Sequence, residues 1–299
     1  MKELLKNIVG ADNVLADELM SAHTTFKVGG PADYLVSPRS IEEVRDVIAL
    51  CNTQGVPWMV IGNGSNLLVG DRGYRGVMIR TVENMQQIFV TGKTIVAQAG
   101  ALLSAVARQA LKHELAGMEF AAGIPGTIGG AMMMNAGAYG GEMKDIVSQV
   151  TILNENGQIC QYTNEDMAFG YRDSVLAHDR LIALEITLGL EEGDRDEIAA
   201  IMNDLAGRRS SKQPLEYPSA GSTFKRPEGY FAGALIEQAG LKGYRIGGAM
   251  VSDKHCGFVI NIDHATADDV RRLIEHVKKT VFENSGVELT PEVRLTGEF

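Results

Sequence analysis

The chain has 299 residues, of which 45% are hydrophobic and 22% are charged. A chain of this length buries about three quarters of the surface that its unfolded form exposes, so we expect a folded protein of two or three lobes. Its 28 basic and 38 acidic residues give a net charge of -10, without a dense cluster of Lys and Arg. This balance argues against nucleic-acid binding, and any anionic ligand would need a few placed cations and backbone N–H groups.

The N-terminal ten residues, MKELLKNIVG, interleave charges with leucines. They predict neither a signal peptide nor a membrane span, so we expect a cytoplasmic protein. Cys51, Cys160 and Cys256 are an odd number of cysteines at wide spacing, which is typical of reduced thiols in a cytosol. The histidines form no HExxH motif and the chain has no CxxC pair, so no metal site is predicted.

The N-terminal part of the chain alternates helix and strand signals. Ser40 followed by Glu43 predicts a capping box, and the apolar spacing after it predicts a helix over 41–53 that Gly55 ends. The other elements predicted here are strands over 56–61 and 77–80, a strand pair around 91–93, and a helix over 101–112.

The second half of the chain contains one strong turn signal and one change of composition. Asn156-Gly157 lies between two apolar runs and predicts a β-hairpin. Segment 210–222 is rich in Ser, Pro and Lys, so we place the main domain boundary near residue 212. The remaining predicted elements are a strand over 181–188, helices over 196–209, 231–239 and 267–284, and a strand over 257–261. The C-terminal lobe is therefore predicted to be α+β.

A first glycine loop follows the strand predicted over 56–61. Its residues Gly62, Asn63, Gly64, Ser65 and Asn66 can present several backbone N–H groups to one anion, because glycine lets the chain approach closely. An ordinary strand-to-loop turn would give the same pattern. The loop is not GxxxxGK[ST], and Leu67 stands where a Rossmann fingerprint needs its third glycine, so a dinucleotide would require another fold.

A second glycine cluster runs over 123–130 and continues into a segment of small residues up to residue 142. A buried helix start with small residues for close packing would account for such a segment by itself. It accounts poorly for two separate glycine loops, each with small polar groups, in a lobe without repeats. Together the loops favour a long, thin cofactor with a phosphate in its middle.

Six motifs occur in order along nearly the whole chain. They are TFKVGGPA at 25–32, GNGSN at 62–66, GIPGTIGGAMMMNAGAYGGE at 123–142, YRDS at 171–174, AGSTFK at 220–225 and PEVR at 291–294. In this order the chain resembles the UDP-N-acetylenolpyruvoylglucosamine reductase (MurB) family. The resemblance implies an α+β protein with an FAD-binding fold of the vanillyl-alcohol oxidase (PCMH) type in two subdomains, about 1–80 and 81–212. A C-terminal α+β substrate-binding domain over 213–299 would complete it.

The resemblance also implies the cofactor and the reaction. FAD would be bound non-covalently, with its pyrophosphate and neighbouring groups held by the first loop, 62–66, and by Gly123, Gly126, Thr127 and Gly129 of the second. NADPH would supply the hydride, and UDP-N-acetylglucosamine enolpyruvate would become UDP-N-acetylmuramate, a precursor of peptidoglycan. The donor and the substrate would occupy the same cleft in turn. We expect a monomer that has small-molecule partners, binds no nucleic acid and does not insert into a membrane.

Three residues match the catalytic positions of that family. Arg172 is suited to stabilise the negative charge that hydride addition builds on the substrate, because a guanidinium is always charged and can grip a carboxylate with two hydrogen bonds. Ser222 would be the proton donor, which a weakly acidic hydroxyl can be only toward a strongly basic carbanion or enediolate. Its local sequence is not GxSxG, so a hydrolase nucleophile is not favoured. Glu292 would be either protonated or paired with a cation such as Arg172.

Four further side chains are candidates for gripping the substrate phosphates or carboxylate: Tyr171, Lys225, Gln238 and His255. For each of them a structural role is an equal alternative. The C-terminal lobe also resembles a shorter subgroup of the family, which lacks the tyrosine-bearing loop that covers the substrate in longer members.

Two other functions remain open at this point. One is a different flavin oxidoreductase of the same fold with a covalently attached flavin, which would need a His or Cys near the first loop; residues 56–76 contain neither. The other is a nucleotide-sugar-binding regulator without activity, although all three catalytic positions are filled.

Overall fold

The computed structural model describes every residue from 1 to 299. The helices are α1 (Lys2–Val9), α2 (Ile41–Gln54), α3 (Leu103–Lys112), α4 (Ile128–Met133), α5 (Arg195–Lys212), α6 (Ala232–Gln238) and α7 (Ala267–Ser285). No helix combines the length and the apolar composition that crossing a bilayer requires.

Eighteen short strands accompany the helices. They are β1 (Val14–Leu19), β2 (Pro31–Val36), β3 (Trp58–Ile61), β4 (Leu67–Val69), β5 (Tyr74–Arg80), β6 (Ile88–Thr91), β7 (Thr94–Gln98), β8 (Leu115–Ala116), β9 (Gly137–Ala138), β10 (Gly141–Glu142), β11 (Val147–Leu153), β12 (Ile159–Thr163), β13 (Ile182–Gly189), β14 (Glu191–Glu192), β15 (Arg245–Ile246), β16 (Ala249–Val251), β17 (Val259–Asn261) and β18 (Arg294–Thr296).

The chain forms two compact units. Unit 1 contains Met1–Ala16, Tyr34–Asn63 and Val77–Arg209, and unit 2 contains Asp17–Asp33, Gly64–Gly76 and Ser210–Phe299. The predicted division near residue 212 stays a prediction. The units differ from it in that two N-terminal segments belong with the C-terminal residues. The physical reason is backbone pairing within unit 2, where β4 and β18 form a parallel pair.

Unit 1 contains an antiparallel five-stranded sheet in the order β12-β11-β13-β7-β6. One hydrophobic core joins this sheet to α3 and α4, through residues such as Val150, Ile186, Val106 and Ile128, all fully buried. Ala131 and Ala136, which follow the second glycine loop, also belong to this core.

A second core of unit 1 lies beneath α1 and α2. It packs against a four-stranded sheet in the order β1-β2-β5-β3, in which β3 and β5 run parallel. Three of these strands, β1, β2 and β5, have residues in both units. Strand β3 matters for the site because its last residue, Ile61, directly precedes the first glycine loop.

The sequence signals of unit 1 have the expected local causes. The Ser40 hydroxyl accepts the backbone N–H of Glu43 at 3.2 Å and begins α2, and Gly55 ends the helix with φ of 65°. In a full capping box the Glu43 carboxylate would accept the backbone N–H of Ser40. Here it accepts the backbone N–H of Arg39 instead, at 2.7 Å. At the β11–β12 hairpin, Gly157 takes φ of 76°, as a turn glycine does.

Unit 2 has its own core, built from α6, α7 and the antiparallel sheet β15-β16-β17. Helix α7 buries Val270, Leu273, Ile274, Val277 and Val281 on one face, the spacing of an amphipathic helix. Its first turn is closed by its own capping box and by the Asp71 carboxylate, which accepts the N–H of Ala267 at 2.7 Å and that of Asp268 at 2.9 Å. Residues 64–76 are thus tied to the C-terminal helix.

The core of unit 2 should tolerate a cavity poorly. Replacing the fully buried Leu273 with Ala should lower the free energy of unfolding by about 2–5 kcal/mol, measured by urea denaturation. Replacing Lys279, whose side chain is 75% exposed on the same helix, with Ala should change it by less than about 0.5 kcal/mol. Equal losses in the two variants would contradict the assigned packing of α7.

Candidate functional site

In unit 1 the first two residues of the first glycine loop, Gly62 and Asn63, lie directly against the second loop. A Cβ atom on Gly62 would lie 2.2 Å from the Thr127 hydroxyl oxygen, so only glycine fits at position 62. The amide of Asn63 donates to the Pro125 carbonyl at 2.7 Å. The structure therefore brings these two predicted segments together in one place.

The second loop is held close to the connection between β7 and α3. A Cβ on Gly129 would lie 2.6 Å from the Cβ of Ala99, and its N–H donates to the Ala99 carbonyl at 2.9 Å. The Gly126 carbonyl accepts the N–H of Leu103 at 3.0 Å. The almost fully buried Thr127 accepts the Gly130 N–H at 3.2 Å and begins α4. The glycines thus permit a backbone packing that larger residues would prevent.

The last three residues of the first loop, Gly64, Ser65 and Asn66, belong to unit 2. Gly64 has φ of 61°, and a Cβ there would lie 2.2 Å from the His23 carbonyl oxygen. The Asn66 amide donates to the Glu292 carbonyl at 3.0 Å. The side chain of Asn66 therefore contacts the C-terminal segment.

Ser222 and Glu292 lie on neighbouring segments of unit 2. The Glu292 N–H donates to the Thr223 carbonyl at 2.8 Å, and the Lys225 N–H donates to the Thr290 carbonyl at 2.9 Å. A single antiparallel bridge joins Phe224 and Pro291 between these bonds. Two of the three predicted catalytic residues are thus fixed next to each other by backbone pairing.

The hydroxyl of Ser222 is weakly held. Its only hydrogen bond runs to the Phe224 carbonyl at 3.4 Å, well beyond the usual length for O–H···O. The neighbouring Thr223 is fully buried, and its hydroxyl accepts the Val259 N–H at 2.9 Å. The backbone is therefore firmly placed while the Ser222 proton remains available.

His255 lies close to Ser222. Its Cε1 atom and the Ser222 hydroxyl oxygen lie 2.9 and 3.7 Å from the point that a Cβ on Gly257 would occupy. The Gly257 N–H donates to His255 Nδ1 at 3.1 Å, so the neutral ring carries its proton on Nε2. Loss of contact with water lowers the pKa of His255 from its ordinary value.

Arg172 occupies a strained turn in unit 1. Its φ is 53°, uncommon for a residue with a side chain, within a turn closed by the Gly170 N–H on the Asp173 carbonyl at 3.0 Å. The guanidinium donates through Nη2 to the Gly137 carbonyl at 3.0 Å and lies 5.6 Å from the ring of Tyr171. The turn fixes the direction of the side chain.

Asn135, which the sequence analysis missed, supports this turn. It is fully buried, donates to the carbonyl of Gly170 at 3.1 Å and to the Glu142 carboxylate at 2.8 Å, and accepts the Lys144 N–H at 2.9 Å. It thereby joins the segment after the second glycine loop to the turn that carries Arg172. The sequence offers no signal for this role beyond an Asn within a run of small residues.

The remaining substrate candidates are less tightly placed. Tyr171 is 56% exposed, and Gln238 is exposed at the last residue of α6. No hydrogen bond joins Gln238 to Ser222 or His255. Lys225 lies three residues after Ser222, on the segment paired with Thr290. Their roles toward a substrate stay predictions.

Arg209 is a second residue that the sequence did not reveal, since it lies in a predicted helix. Its Nη1 and Cδ atoms lie 3.1 and 3.2 Å from the point that a Cβ on Gly123 would occupy. Its Nε is buried without a hydrogen-bond partner, and the guanidinium forms no ion pair with a carboxylate. Burial lowers the pKa of Arg209, yet an arginine remains a cation. An unused donor beside the second glycine loop fits an anionic ligand.

Comparison with known proteins agrees with this geometry. A sequence model of the FAD binding domain matches residues 32–163, and one of the C-terminal domain of UDP-N-acetylenolpyruvoylglucosamine reductase matches residues 213–296. The reductase of Thermus caldophilus superposes with a TM-score of 0.81 at 36% identity, covering 93% of this chain and 97% of that one. The 4-ethylphenol oxidase of Gulosibacter chungangensis, 13% identical, superposes with a TM-score of 0.50 over 97% of this chain and 64% of its own.

The fold and the two glycine loops therefore define an FAD-dependent flavoprotein with the fold of the vanillyl-alcohol oxidase type, and the predicted fold class is confirmed. Full-length relatives give the narrower assignment. The reductases of Caldanaerobacter subterraneus subsp. tengcongensis and Clostridioides difficile are 52% and 50% identical to this chain, each over 98% of it and 97% of their own length. The chain belongs to the UDP-N-acetylenolpyruvoylglucosamine reductase family.

The residues of unit 1 fit the FAD that this family uses. Gly62 and Gly129 let the two loops pack against Thr127 and Ala99, where a Cβ atom would clash. Beside the second loop, Arg209 offers a cation with an unpaired N–H to a pyrophosphate or another anionic part of the cofactor. Asn63 and Thr127 hold the two loops in register around this place. These residues would hold the dinucleotide.

Arg209 should contribute measurably to FAD binding. Arg209→Met removes the charged donor and leaves a side chain of similar length. The Kd for FAD should then rise about 10- to 100-fold, measured by flavin fluorescence titration of the apoprotein. Arg208→Met is the matched control, because Arg208 is exposed and pairs with Asp204 at 2.8 Å. Unchanged FAD affinity in Arg209→Met, or equal losses in both variants, would contradict the assignment.

His255 should be neutral near pH 7. Because its pKa lies below the ordinary value of 6.5, the ring should remain mostly unprotonated at pH 6.5 and gain its proton only at lower pH. Nitrogen chemical shifts of the imidazole, followed by NMR as pH falls, should give the Nε2–H tautomer first and the cation later. Half-protonation at or above pH 6.5 would be inconsistent with this environment.

Proposed function

We propose that the chain reduces UDP-N-acetylglucosamine enolpyruvate to UDP-N-acetylmuramate with electrons from NADPH, and that Arg172, Ser222 and Glu292 carry out the reaction. The observation that most supports the residue roles is the pairing of the Ser222 and Glu292 segments through the Glu292 N–H and the Thr223 carbonyl. FAD, held by the residues of the two glycine loops and Arg209, would supply the hydride-transfer chemistry between NADPH and the enolpyruvyl group.

Arg172 would bind the substrate carboxylate and stabilise the enediolate. Adding hydride to the vinyl terminus leaves negative charge on the neighbouring carbon and its carboxylate, and a fixed guanidinium lowers the energy of that charge. The strained turn and the bond to the Gly137 carbonyl favour this role, because both hold the side chain in place before the substrate arrives.

Ser222 would donate the proton that completes the reduction. Its hydroxyl has only a long hydrogen bond to relinquish, so it can turn toward a basic carbon at little cost. The carbon that bears the ether oxygen would receive the proton. Because a serine hydroxyl is a very weak acid, this step suits an enediolate and would not suit a weaker base.

Glu292 would act on the same intermediate from the adjacent segment. An ionised carboxylate next to a developing dianion is repulsive, so Glu292 would be either protonated or paired with a cation. Both forms can stabilise the enediolate, the first by donating a hydrogen bond and the second by fixing the cation.

Substrate binding would involve Tyr171, Lys225, Gln238 and His255. Lys225 is suited by its position three residues after Ser222, and Tyr171 by its position directly before Arg172. A His255 ring that is neutral at pH 7 would contribute a hydrogen bond from Nε2 rather than a positive charge.

The protein would work in the cytoplasm as a monomer, in peptidoglycan precursor synthesis.

The reaction can be tested in two half-reactions. The flavin of the purified protein should bleach with NADPH, and under anaerobic conditions its colour should return when UDP-N-acetylglucosamine enolpyruvate is added. Acid precipitation should release the yellow FAD. Colourless protein that is inert toward NADPH would favour a binding regulator, and flavin retained in the precipitate would favour a covalent flavoenzyme.

Ser222→Ala separates the two half-reactions. Bleaching by NADPH should remain intact, while the return of colour with substrate should slow by roughly two to four orders of magnitude, the range expected for a positioned proton donor. Stopped-flow absorbance of the flavin measures both rates. A return as fast as that of the unmodified protein would exclude Ser222 as the donor.

A further inference from the structure

The two asparagines of the first glycine loop use their side chains in the same way on different partners. Each donates its amide to a backbone carbonyl: Asn63 to Pro125 at 2.7 Å, within unit 1, and Asn66 to Glu292 at 3.0 Å, within unit 2. By sequence both were cofactor-binding candidates of one motif. Only the first of these bonds joins the two glycine loops.

Asn66 completes a clamp on the backbone of Glu292. On one side the Glu292 N–H donates to the Thr223 carbonyl at 2.8 Å, and on the other side the Glu292 carbonyl accepts from Asn66. The Asn66 carbonyl also accepts the N–H of Arg294 at 3.0 Å, where the parallel pairing of β4 and β18 begins. Both peptide groups of Glu292 are therefore fixed by residues of other motifs.

We propose that Asn66 is a positioning residue that acts through Glu292: its amide holds the Glu292 peptide so that the carboxyl group keeps its direction relative to Ser222. This inference rests on the proposed function, since it assumes that Glu292 takes part in the reaction of the substrate. The bond to Glu292 uses only the side chain of Asn66, so it does not involve the backbone N–H groups of the loop.

The bond is not needed to hold the strand pair together. Arg294, Leu295 and Thr296 pair with Leu67, Leu68 and Val69 through the backbone, and fully buried Leu68 and Val69 anchor that pair. The Asn66 amide adds one hydrogen bond beyond the end of the ladder, at the residue whose side chain would react. Its loss should therefore alter the direction of Glu292 more than the stability of unit 2.

The experiment compares Asn66→Ala with Asn63→Ala in the holoprotein. In Asn66→Ala the Kd for FAD and the rate of bleaching by NADPH should stay within about threefold of the unmodified protein, while the return of colour with substrate slows about 10- to 100-fold. Asn63→Ala should instead raise the Kd for FAD. Fluorescence titration and anaerobic stopped-flow absorbance give these quantities.

A double-mutant cycle with Glu292→Gln tests whether Asn66 acts through Glu292. The variant carrying both Asn66→Ala and Glu292→Gln should return its colour within about twofold of Glu292→Gln alone, because the two residues act as one unit. If Asn63→Ala slows the return of colour, its fold-change should multiply with that of Glu292→Gln in the variant that carries both substitutions. Asn66→Asp, which keeps the size but loses the donor, should reproduce Asn66→Ala and serves as the second variant if Asn66→Ala does not fold.

Two results would overturn the inference. One is an increase in the Kd for FAD of Asn66→Ala comparable to that of Asn63→Ala. The other is a double variant in which the slowing of colour return by Asn66→Ala multiplies with the slowing by Glu292→Gln. Failure of the proposed function gives a different pattern. In that case the unmodified protein does not regain colour with the substrate, or Glu292→Gln regains it at the unmodified rate.

Discussion

The proposed roles of Ser222 and Glu292 depend on one antiparallel contact, in which the N–H of Glu292 donates to the carbonyl of Thr223, next to Ser222. A hydroxyl and a carboxyl group about 70 residues apart in sequence become neighbours through backbone atoms alone. The Ser222 hydroxyl has only a long hydrogen bond to the Phe224 carbonyl, while buried Thr223 accepts the N–H of Val259. The backbone around Ser222 is therefore held in place, while the proton of the Ser222 hydroxyl remains available.

In unit 1 the candidate site depends on glycines, which have no side chain. Gly62 lies against Thr127 and Gly129 lies against Ala99 because neither has a Cβ atom, so two loops can present backbone groups to one long ligand. In a protein with a net charge of -10, such a ligand also needs a local cation. Arg209 provides such a cation, and its buried Nε–H donates to no protein atom.

The main helices could be predicted because their signals are local, whereas the fold class was implied by the resemblance of six motifs to a known family. Ser40 and Gly55 mark the ends of α2, Asn156-Gly157 marks a hairpin, and α7 carries its apolar residues at helical spacing. Strands β4 and β18 carry no such signal, since each has three residues and depends on a partner that is distant in the chain. The grouping of 17–33 and 64–76 with the C-terminal residues was missed for the same reason.

The roles of the predicted site residues stay predictions, and the structure bears only on which segments lie together. Contacts between distant residues could not be predicted from the sequence. The sequence pointed to the two glycine loops as one site, and the bond from Asn63 to Pro125 joins them. It gave no indication that Asn135 supports the turn of Arg172, that Arg209 lies beside Gly123, or that Asn66 turns toward Glu292. Each of these depends on a side-chain direction that spacing alone does not contain.

The parallel pairing of β4 with β18 has a consequence for the order in which the protein matures. A nascent chain that has emerged only to residue 209 holds every residue of unit 1, whereas Leu67–Val69 must wait for a strand more than 200 residues downstream. The ribosome therefore exposes an unpaired strand edge for many seconds before its partner is made. During that interval the loop before β4 has residues 62–63 in unit 1, all of which has been synthesised, and residues 64–66 in unit 2, which is still incomplete.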